Sequence, residues 1–400
     1  MLEAGKDVSE TGEGVAHATP VATASVFALH GAGGAIGAVG EQSALPPGPL
    51  ATLGERVAEF FSRRRGADGA PALLVGGFPF DPLADDRLYQ PARLADPLSL
   101  EAAASGSARA VVRAMRAEPE PGRFADAVRD ALAAIDARGD GLRKVVLARS
   151  LELTTASPID PMALFARLAG DPGVTRFVAT LPHRGGQPRY LVGATPEPLV
   201  SKRGARLVSF PLAGSMPRAI AGSDRILLAS DKDRREHALV VEAIADILTP
   251  HCATLSVPPE PELRATRSMW HLGSRIEGEL TSPDALSSAA LAALLHPTPA
   301  VGGTPRQAAI DLIRKIEPVA RGFYAGAIGW CDAQGDGDWH VSLRCAEIAG
   351  THARIHAGAG IVAGSDPDAE IAETHAKFRA MLDAFGIDEA DAEMAETAAS

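Results

Sequence analysis

Cysteine is nearly missing from this 400-residue chain. Cys252, Cys331 and Cys345 are an odd set, and no two of them have CxxC spacing. That excludes a disulfide framework and a cysteine-paired structural zinc, and it fits a reducing cytoplasm. Positive charge is also short. Lys and Arg total 39 against 50 Asp and Glu, a formal charge of −11. Nucleic acid and anionic membrane surfaces are poor partners for such a chain, because both need a basic surface. An anionic substrate would have to meet a local basic or metal site. Long apolar runs are absent too. Val21–Gly40 carries no Asp, Glu, Lys or Arg, but its glycines and alanines make it too weakly hydrophobic to span a bilayer. The opening Met1-Leu-Glu-Ala-Gly-Lys-Asp lacks the basic region of a secretory leader.

What is present reads as a globular protein: 46% hydrophobic and 22% charged residues. The length suffices for a large core, as two or three domains or one interwoven α+β unit. Residues 1–20 and 387–400 are polar, acidic and aperiodic, and read as loose tails. Residues 21–386 read as one domain. The segment Ala117-Glu-Pro-Glu-Pro-Gly122 divides it into an N-terminal part, about 21–120, and a motif-dense core, about 121–386. Phe124, Val128, Leu132 and Ile135 recur at helical spacing, with Gly139 as the stop. Further helices are expected at about 159–169, 230–249, 305–316 and 367–385. Strands are expected at 144–151, Phe177–Leu181, Tyr190–Val192, Leu199–Ser201, Leu207–Phe210, Tyr324–Trp330, Trp339–Arg344 and Arg354–Ala357. Hairpin turns fit Lys202–Ala205 and Asp332–Asp338. Strand runs broken by isolated helices argue for α+β with antiparallel sheets.

A few titratable residues stand out. Lys144 heads the apolar run Lys-Val-Val-Leu-Ala-Arg, and Glu197 follows in the turn Gly193-Ala-Thr-Pro-Glu. The two could form an acid–base pair. On the helix at 367–385, Glu370, Glu373 and Lys377 share a face about a quarter turn from the stripe Ile371, Phe378, Leu382 and Phe385. That face is either a solvated ion-pair row or lies at the edge of the core. Glu236 sits early in the 230–249 helix, equally readable as surface charge. Arg344 falls on the polar side of an alternating strand, where its planar fork would suit a carboxylate. Two GxGxxxG clusters, Gly31–Gly37 and Gly358–Gly364, lie outside any clear βαβ unit, so a dinucleotide fold is disfavoured. The second joins a strand to a helix and could cradle an anion on backbone N–H groups. Asp332–Asp338 has calcium-loop flavour, but Leu343 stands where an EF-hand needs Glu.

Taken in order, longer motifs coincide with one family. They are Lys-Val-Val-Leu-Ala-Arg (144–149), Gly-Ala-Thr-Pro-Glu (193–197), Pro-Leu-Ala-Gly-Ser (211–215) and Asp-Lys-Asp-Arg-Arg-Glu-His (231–237). Trp-His-Leu (270–272), Leu-His-Pro-Thr-Pro-Ala-Val-Gly-Gly (295–303), Tyr-Ala-Gly-Ala-Ile-Gly-Trp-Cys-Asp (324–332) and Leu-Arg-Cys-Ala (343–346) follow. Ala-Gly-Ala-Gly-Ile-Val (357–362) and Glu370-Ile-Ala-Glu-Thr-His-Ala-Lys377 close the series. Over about 140–386 the chain resembles the chorismate-utilising enzymes, and among them the isochorismate synthases.

The resemblance implies two antiparallel sheets packed face to face, helices outside and the site between. It implies Mg²⁺ as cofactor, chorismate as substrate, and a monomer. Lys144 matches the base that activates water for attack at ring carbon 2, and Glu197 the acid that protonates the hydroxyl leaving carbon 4. Glu236 and Glu373 match magnesium ligands, and Glu370 a further acid near the metal. Arg344, Lys377 and the backbone at Gly358 match the holders of the substrate carboxylates. Gly214, Ser215, His271, Ala300, Tyr324 and Leu343 match pocket-lining positions. For these roles Lys144 needs a pKa about 2–3 units below its usual ~10.4, and Glu197 needs the opposite shift. Ala213 stands where aminodeoxychorismate synthases carry a nucleophilic lysine, so a covalent intermediate is not expected there. Salicylate synthase, which also eliminates pyruvate, remains the nearest alternative. A non-catalytic chorismate-binding homologue is the alternative of another class. Siderophore and menaquinone synthesis are both open as destinations.

Overall fold

The computed structural model describes residues 25–63, 69–104, 106–137 and 141–388. The tail expected at 1–20, most of that expected at 387–400, and the helix stop at Gly139 lie outside these. Ile387, read as tail, is buried against Phe385 and Leu382 in the core.

The expected elements are present, several of them longer than their sequence signals. The strand from Lys144 runs to Thr155, and the one expected at Arg354–Ala357 spans His352–Val362. Helices cover Pro121–Asp136, Pro161–Arg167, Asp231–Leu248, Arg306–Ile316 and Pro367–Phe385. Their starts follow the local chemistry. Ser230 Oγ accepts the Asp233 N–H, and an Asp366 carboxylate oxygen accepts the Ala369 N–H ahead of Pro367. Lys202–Ala205 turns between two paired strands, as Asp332–Asp338 does.

Strand pairing is antiparallel throughout the described residues, so the α+β expectation holds at that level. The sheets differ in detail. Among the described residues hydrogen bonds join 17 strands into one continuous sheet, beside a separate three-stranded sheet of Leu212–Pro217, Met269–Gly273 and Glu262–Ala265. Long strands and register shifts, such as that between Trp339 and His340, let a sheet bend without breaking its ladder. Strands before residue 120 enter the large sheet: Val26–Gly31 pairs with Thr175–Arg184, Leu73–Phe78 with Ala327–Asp332, and Val112–Glu118 with the Lys144 strand. Both glycine clusters lie in antiparallel strands. The first makes a tight hairpin, Gly31 opposite Gly34, and the second is largely the end of the His352–Val362 strand, not a loop nest.

The Lys144 and His352 strands pair along eleven positions and form the centre of the fold. Directly opposed residues share a face, so Lys144, Val146 and Ala148 lie with Val362, Gly360 and Gly358. The other face is covered by the helices Pro121–Asp136 and Pro367–Phe385. There the Arg149 guanidinium lies between the Phe124 and Phe378 rings and donates to Thr374 Oγ1. Burial of Phe124, Val128, Ile135, Phe378, Leu382 and Phe385 anchors these helices.

Candidate active site

The Lys144 face of the central strands looks into a cleft. Its lining includes Glu197, Gly214, Ser215, Glu236, His271, Ala300, Tyr324, Leu343, Arg344, Gly358, Glu373 and Lys377. Residues as far apart as Glu197 and Lys377 in sequence thus meet in one place. Lys144 and Glu370 do not line it. Both are buried, at 0% and 1% exposure, behind the wall.

Three lysine–carboxylate pairs dominate the interior. Lys144 Nζ lies 2.9 Å from Glu236 Oε1, yet without hydrogen-bond geometry. Lys232 Nζ donates to Glu370 Oε1 at 2.8 Å. Lys377 Nζ lies 2.6 Å from Glu373 Oε1 and donates to the Gly358 carbonyl at 2.8 Å. Ser215 Oγ donates to the same Glu373 oxygen at 2.7 Å. The i, i+4 pair Glu373–Lys377 therefore exists, but on an enclosed face. Glu236 likewise is buried, not surface charge. Gly360 makes room for this: a Cβ there would stand 2.2 Å from Glu236 Oε1.

The electrostatics separate the carboxylates. Burial pushes Glu197 up to about 8, against the Leu212 N–H it accepts and the charges of Lys144, Arg344 and Lys377. At neutral pH it holds a proton. Burial and the neighbouring Glu373 charge push Glu370 up to about 7, against Lys232. Glu373 goes the other way. Burial acts to raise it, but Lys377 and the Ser215 hydroxyl hold it well below the usual carboxylate range. Burial lowers His271 to about 3, so the ring is neutral, and its Nε2 has no hydrogen-bond partner among the described residues. Ser215 and His271 are directly opposed in the small sheet and share a face. Burial also raises the Tyr324 phenol, whose ring stacks on His356 at 4.8 Å.

Arg344 is placed differently from its expected strand position. The strand ends at Val341, and Arg344 takes a left-handed φ of 47° in the connection to the next strand. Ala325, also in the cleft wall, has φ 57°. These two are the non-glycine residues with positive φ among the described residues, a costly conformation that gathers at functional sites. Alternation could not foresee it, because the turn interrupts the strand. Arg344 makes no ion pair among the described residues, so its fork is available to an anion. Burial lowers its pKa.

Magnesium can be tested against the donors present. Among the described residues no three His, Cys, Asp or Glu side chains gather as a metal-binding group. Glu370 Oε2, however, is buried beside Glu373 without a well-formed hydrogen bond among the described residues, the Ser365 hydroxyl being its polar neighbour. Crowded carboxylate oxygens, few per ion, suit magnesium, which keeps waters and takes substrate oxygens for its other positions. The donor set fits. Lys232 was missed by sequence reasoning. The signal was its i, i+4 spacing from Glu236 on one helix.

Comparison with known proteins agrees with the geometry. A family model described as chorismate binding enzyme matches residues 81–386. Isochorismate synthase DhbC of Bacillus subtilis is 43% identical over 330 residues, 80% of this chain and 82% of that protein. The crystal structure of DhbC from Bacillus anthracis superposes with a TM-score of 0.83 at 36% identity, covering 92% of this chain and 98% of that one. Menaquinone-specific isochorismate synthase MenF from Escherichia coli gives 0.74 at 27% identity, covering 90% and 89%. With a family model matched over 81–386 and both sequence and fold matched to such enzymes, this chain belongs to the chorismate-binding enzyme family.

Proposed function

We propose that the chain is an isochorismate synthase, converting chorismate to isochorismate. The observation that carries this reading is Glu197, a buried carboxylic acid protonated to about pH 8, in one cleft with Arg344, Lys377 and Glu373. Arg344 and Lys377 hold the substrate carboxylates. Lys144 takes a proton from water as the water oxygen bonds to ring carbon 2. Glu197 gives its proton to the hydroxyl leaving carbon 4, which departs as water. The ring double bonds shift between these positions, so one water enters and one leaves. Glu236, Glu373 and Glu370 would hold Mg²⁺, which supplies charge neutralisation for a substrate carboxylate.

The free space in the cleft is about 60 Å³, room for only a few waters. A ring substrate has to part the ion pairs that fill it. Parting Lys144 from Glu236 uncovers the amine, which is fully buried while paired.

The finer picture of the fold is two antiparallel layers with the site between. It is supported by Val146 and Gly360 of the large sheet lining the cleft with Ser215 and His271 of the small one. A single unit over 21–386 is supported by the N-terminal strands entering the large sheet. No helix among the described residues is long and apolar enough to cross a membrane. The three free cysteines suit a reducing cytoplasm. A monomer completes the reading, to be checked by sedimentation.

The deciding assay is liquid chromatography of a chorismate reaction with and without magnesium. Isochorismate formed only with magnesium is the expected result. Salicylate and pyruvate without an added lyase would make the chain a salicylate synthase. Binding without turnover would make it a non-catalytic homologue.

A further inference from the structure

The strand that carries Lys144 has an incomplete edge. On one side the His352–Val362 strand pairs with it along its length. On the other side Val112–Glu118 pairs only from Ser150 onward, and Gly303–Thr304 only at Lys144 and Val145. Along Val146–Arg149, the stretch between, no strand of the described residues lies on that edge; the Gly302 carbonyl accepts the Val146 N–H at 2.8 Å, and beyond that bond the edge is open. Unpaired backbone groups there would be buried, which is costly.

Two side chains fill the gap. Glu317 Oε1 accepts the Ala148 N–H at 2.8 Å. Arg321 donates to the Val146 carbonyl at 2.7 Å and to the Val301 carbonyl at 2.7 Å. The two form a bidentate ion pair, with side chains only 6% and 2% exposed. The Arg321 guanidinium also lies over the Phe80 ring, 4.2 Å from its centroid. The Arg321 carbonyl accepts the Tyr324 N–H at 3.0 Å. One ion pair thus ties together three walls of the cleft: the Lys144 strand, the turn bearing Ala300 and Val301, and the segment bearing Tyr324. Neither residue lines the cleft itself.

We propose that Glu317 and Arg321 are positioning residues that replace the missing strand and set the spacing of these walls around the substrate. This rests on the functional reading above for its kinetic consequence, but its structural part stands alone. A lysine at 321 keeps the charge and loses the planar fork, so it cannot serve both carbonyls and the carboxylate together. Removing one partner leaves a buried unpaired charge. Replacing both with apolar side chains of similar size leaves no unpaired charge and is often tolerated, at the cost of the partners of the Ala148 N–H and the Val146 and Val301 carbonyls, so thermal denaturation is measured beside the kinetics. The double variant Glu317→Met/Arg321→Met therefore separates positioning from stability.

Two measurements test the proposal on the full chain. The first is the steady-state kinetics of chorismate conversion, well below the melting temperature. The double variant is expected to lose about 100-fold in kcat, as a wall shift near 1 Å does, while its circular dichroism matches wild type. Arg321→Lys is expected to lie between the two, about 10-fold down. A folded double variant with kcat and KM within threefold of wild type would overturn the proposal. So would an activity loss that only tracks the unfolded fraction. Should the double variant not fold, Arg321→Lys carries the same comparison, and the same two results would overturn the proposal.

The second measurement is amide hydrogen exchange by mass spectrometry. In the double variant, or in Arg321→Lys, exchange should rise at least tenfold together in peptides covering 144–148 and 298–302. Unchanged exchange in both overturns the clamp. This arm needs no turnover. If wild type leaves chorismate untouched, the functional reading falls while exchange still decides the clamp.

Discussion

At the scale of single residues, protonation separates the roles. Glu197 holds its proton to about pH 8 because burial outweighs three nearby positive charges. In its proposed role as general acid it is lost when pH rises through that value. The rate of chorismate conversion should therefore fall about tenfold per pH unit above pH 8, and a pH–rate profile flat to pH 10 would contradict the assignment. Glu197→Gln and Lys144→Ala should each lower kcat by about 10²–10⁴-fold with circular dichroism unchanged. Near-wild-type rates in either would defeat the mechanism. Glu373 makes a different prediction, since it is the carboxylate kept ionised by Lys377 and Ser215. Glu373→Ala should flatten the magnesium dependence of activity and weaken magnesium binding measured by calorimetry. An unaltered binding isotherm would remove Glu373 from the metal site.

At the scale of elements, the site depends on how closely one strand lets a helix approach. Gly360 faces Glu236 with no space for a methyl group. Gly360→Ala should push the Glu236 carboxylate off Lys144, destabilise by about 1–3 kcal/mol as overpacking does, and cut activity at least tenfold. Thermal denaturation and kinetics together check this, and a variant with native melting and native rate would show that Glu236 is free to move. The elements also mark where sequence reading succeeded. Period and caps located the helix at 367–385 because Pro367, Asp366 and the Phe378–Phe385 stripe all act locally. The enclosure of Glu370 and Glu373 was not local. It arises because Ser215, from the small sheet, and Lys232, from another helix, close over them. Arg344 was legible as a residue type but not as a conformation, since strand alternation carries no sign of a left-handed turn. The joining of the strands into one long sheet was equally hidden, because it is set by register shifts far apart in sequence. Ordered motifs bridged that distance where periodicity could not.

At the scale of the whole molecule, the balance of buried titratable groups sets how stability responds to pH. Among the described residues burial lowers His237, His296 and His340 to about 4, and His271 and His356 to about 3. Unfolded, each takes up a proton near its ordinary value of about 6.5. Between pH 6.5 and about 4 the unfolded chain therefore binds more protons than the folded one, and stability falls as pH falls. Each such proton is worth about 1.4 kcal/mol per pH unit. Glu197 and Glu370 act in the opposite sense. Raised to about 8 and about 7, they keep protons that the unfolded chain releases near 4.5, so they favour the folded state as pH falls. Asp86 and Asp233, also raised by burial, act with them; five histidine protons still outnumber four carboxyl protons, and acidification should win. Scanning calorimetry is expected to show the melting temperature dropping steadily from pH 6.5 to pH 5. His340→Phe should make that slope shallower, since His340 is buried with an unpartnered Nδ1. A melting temperature level or rising across this range would mean that the histidines are already charged in the folded state, or that water reaches them.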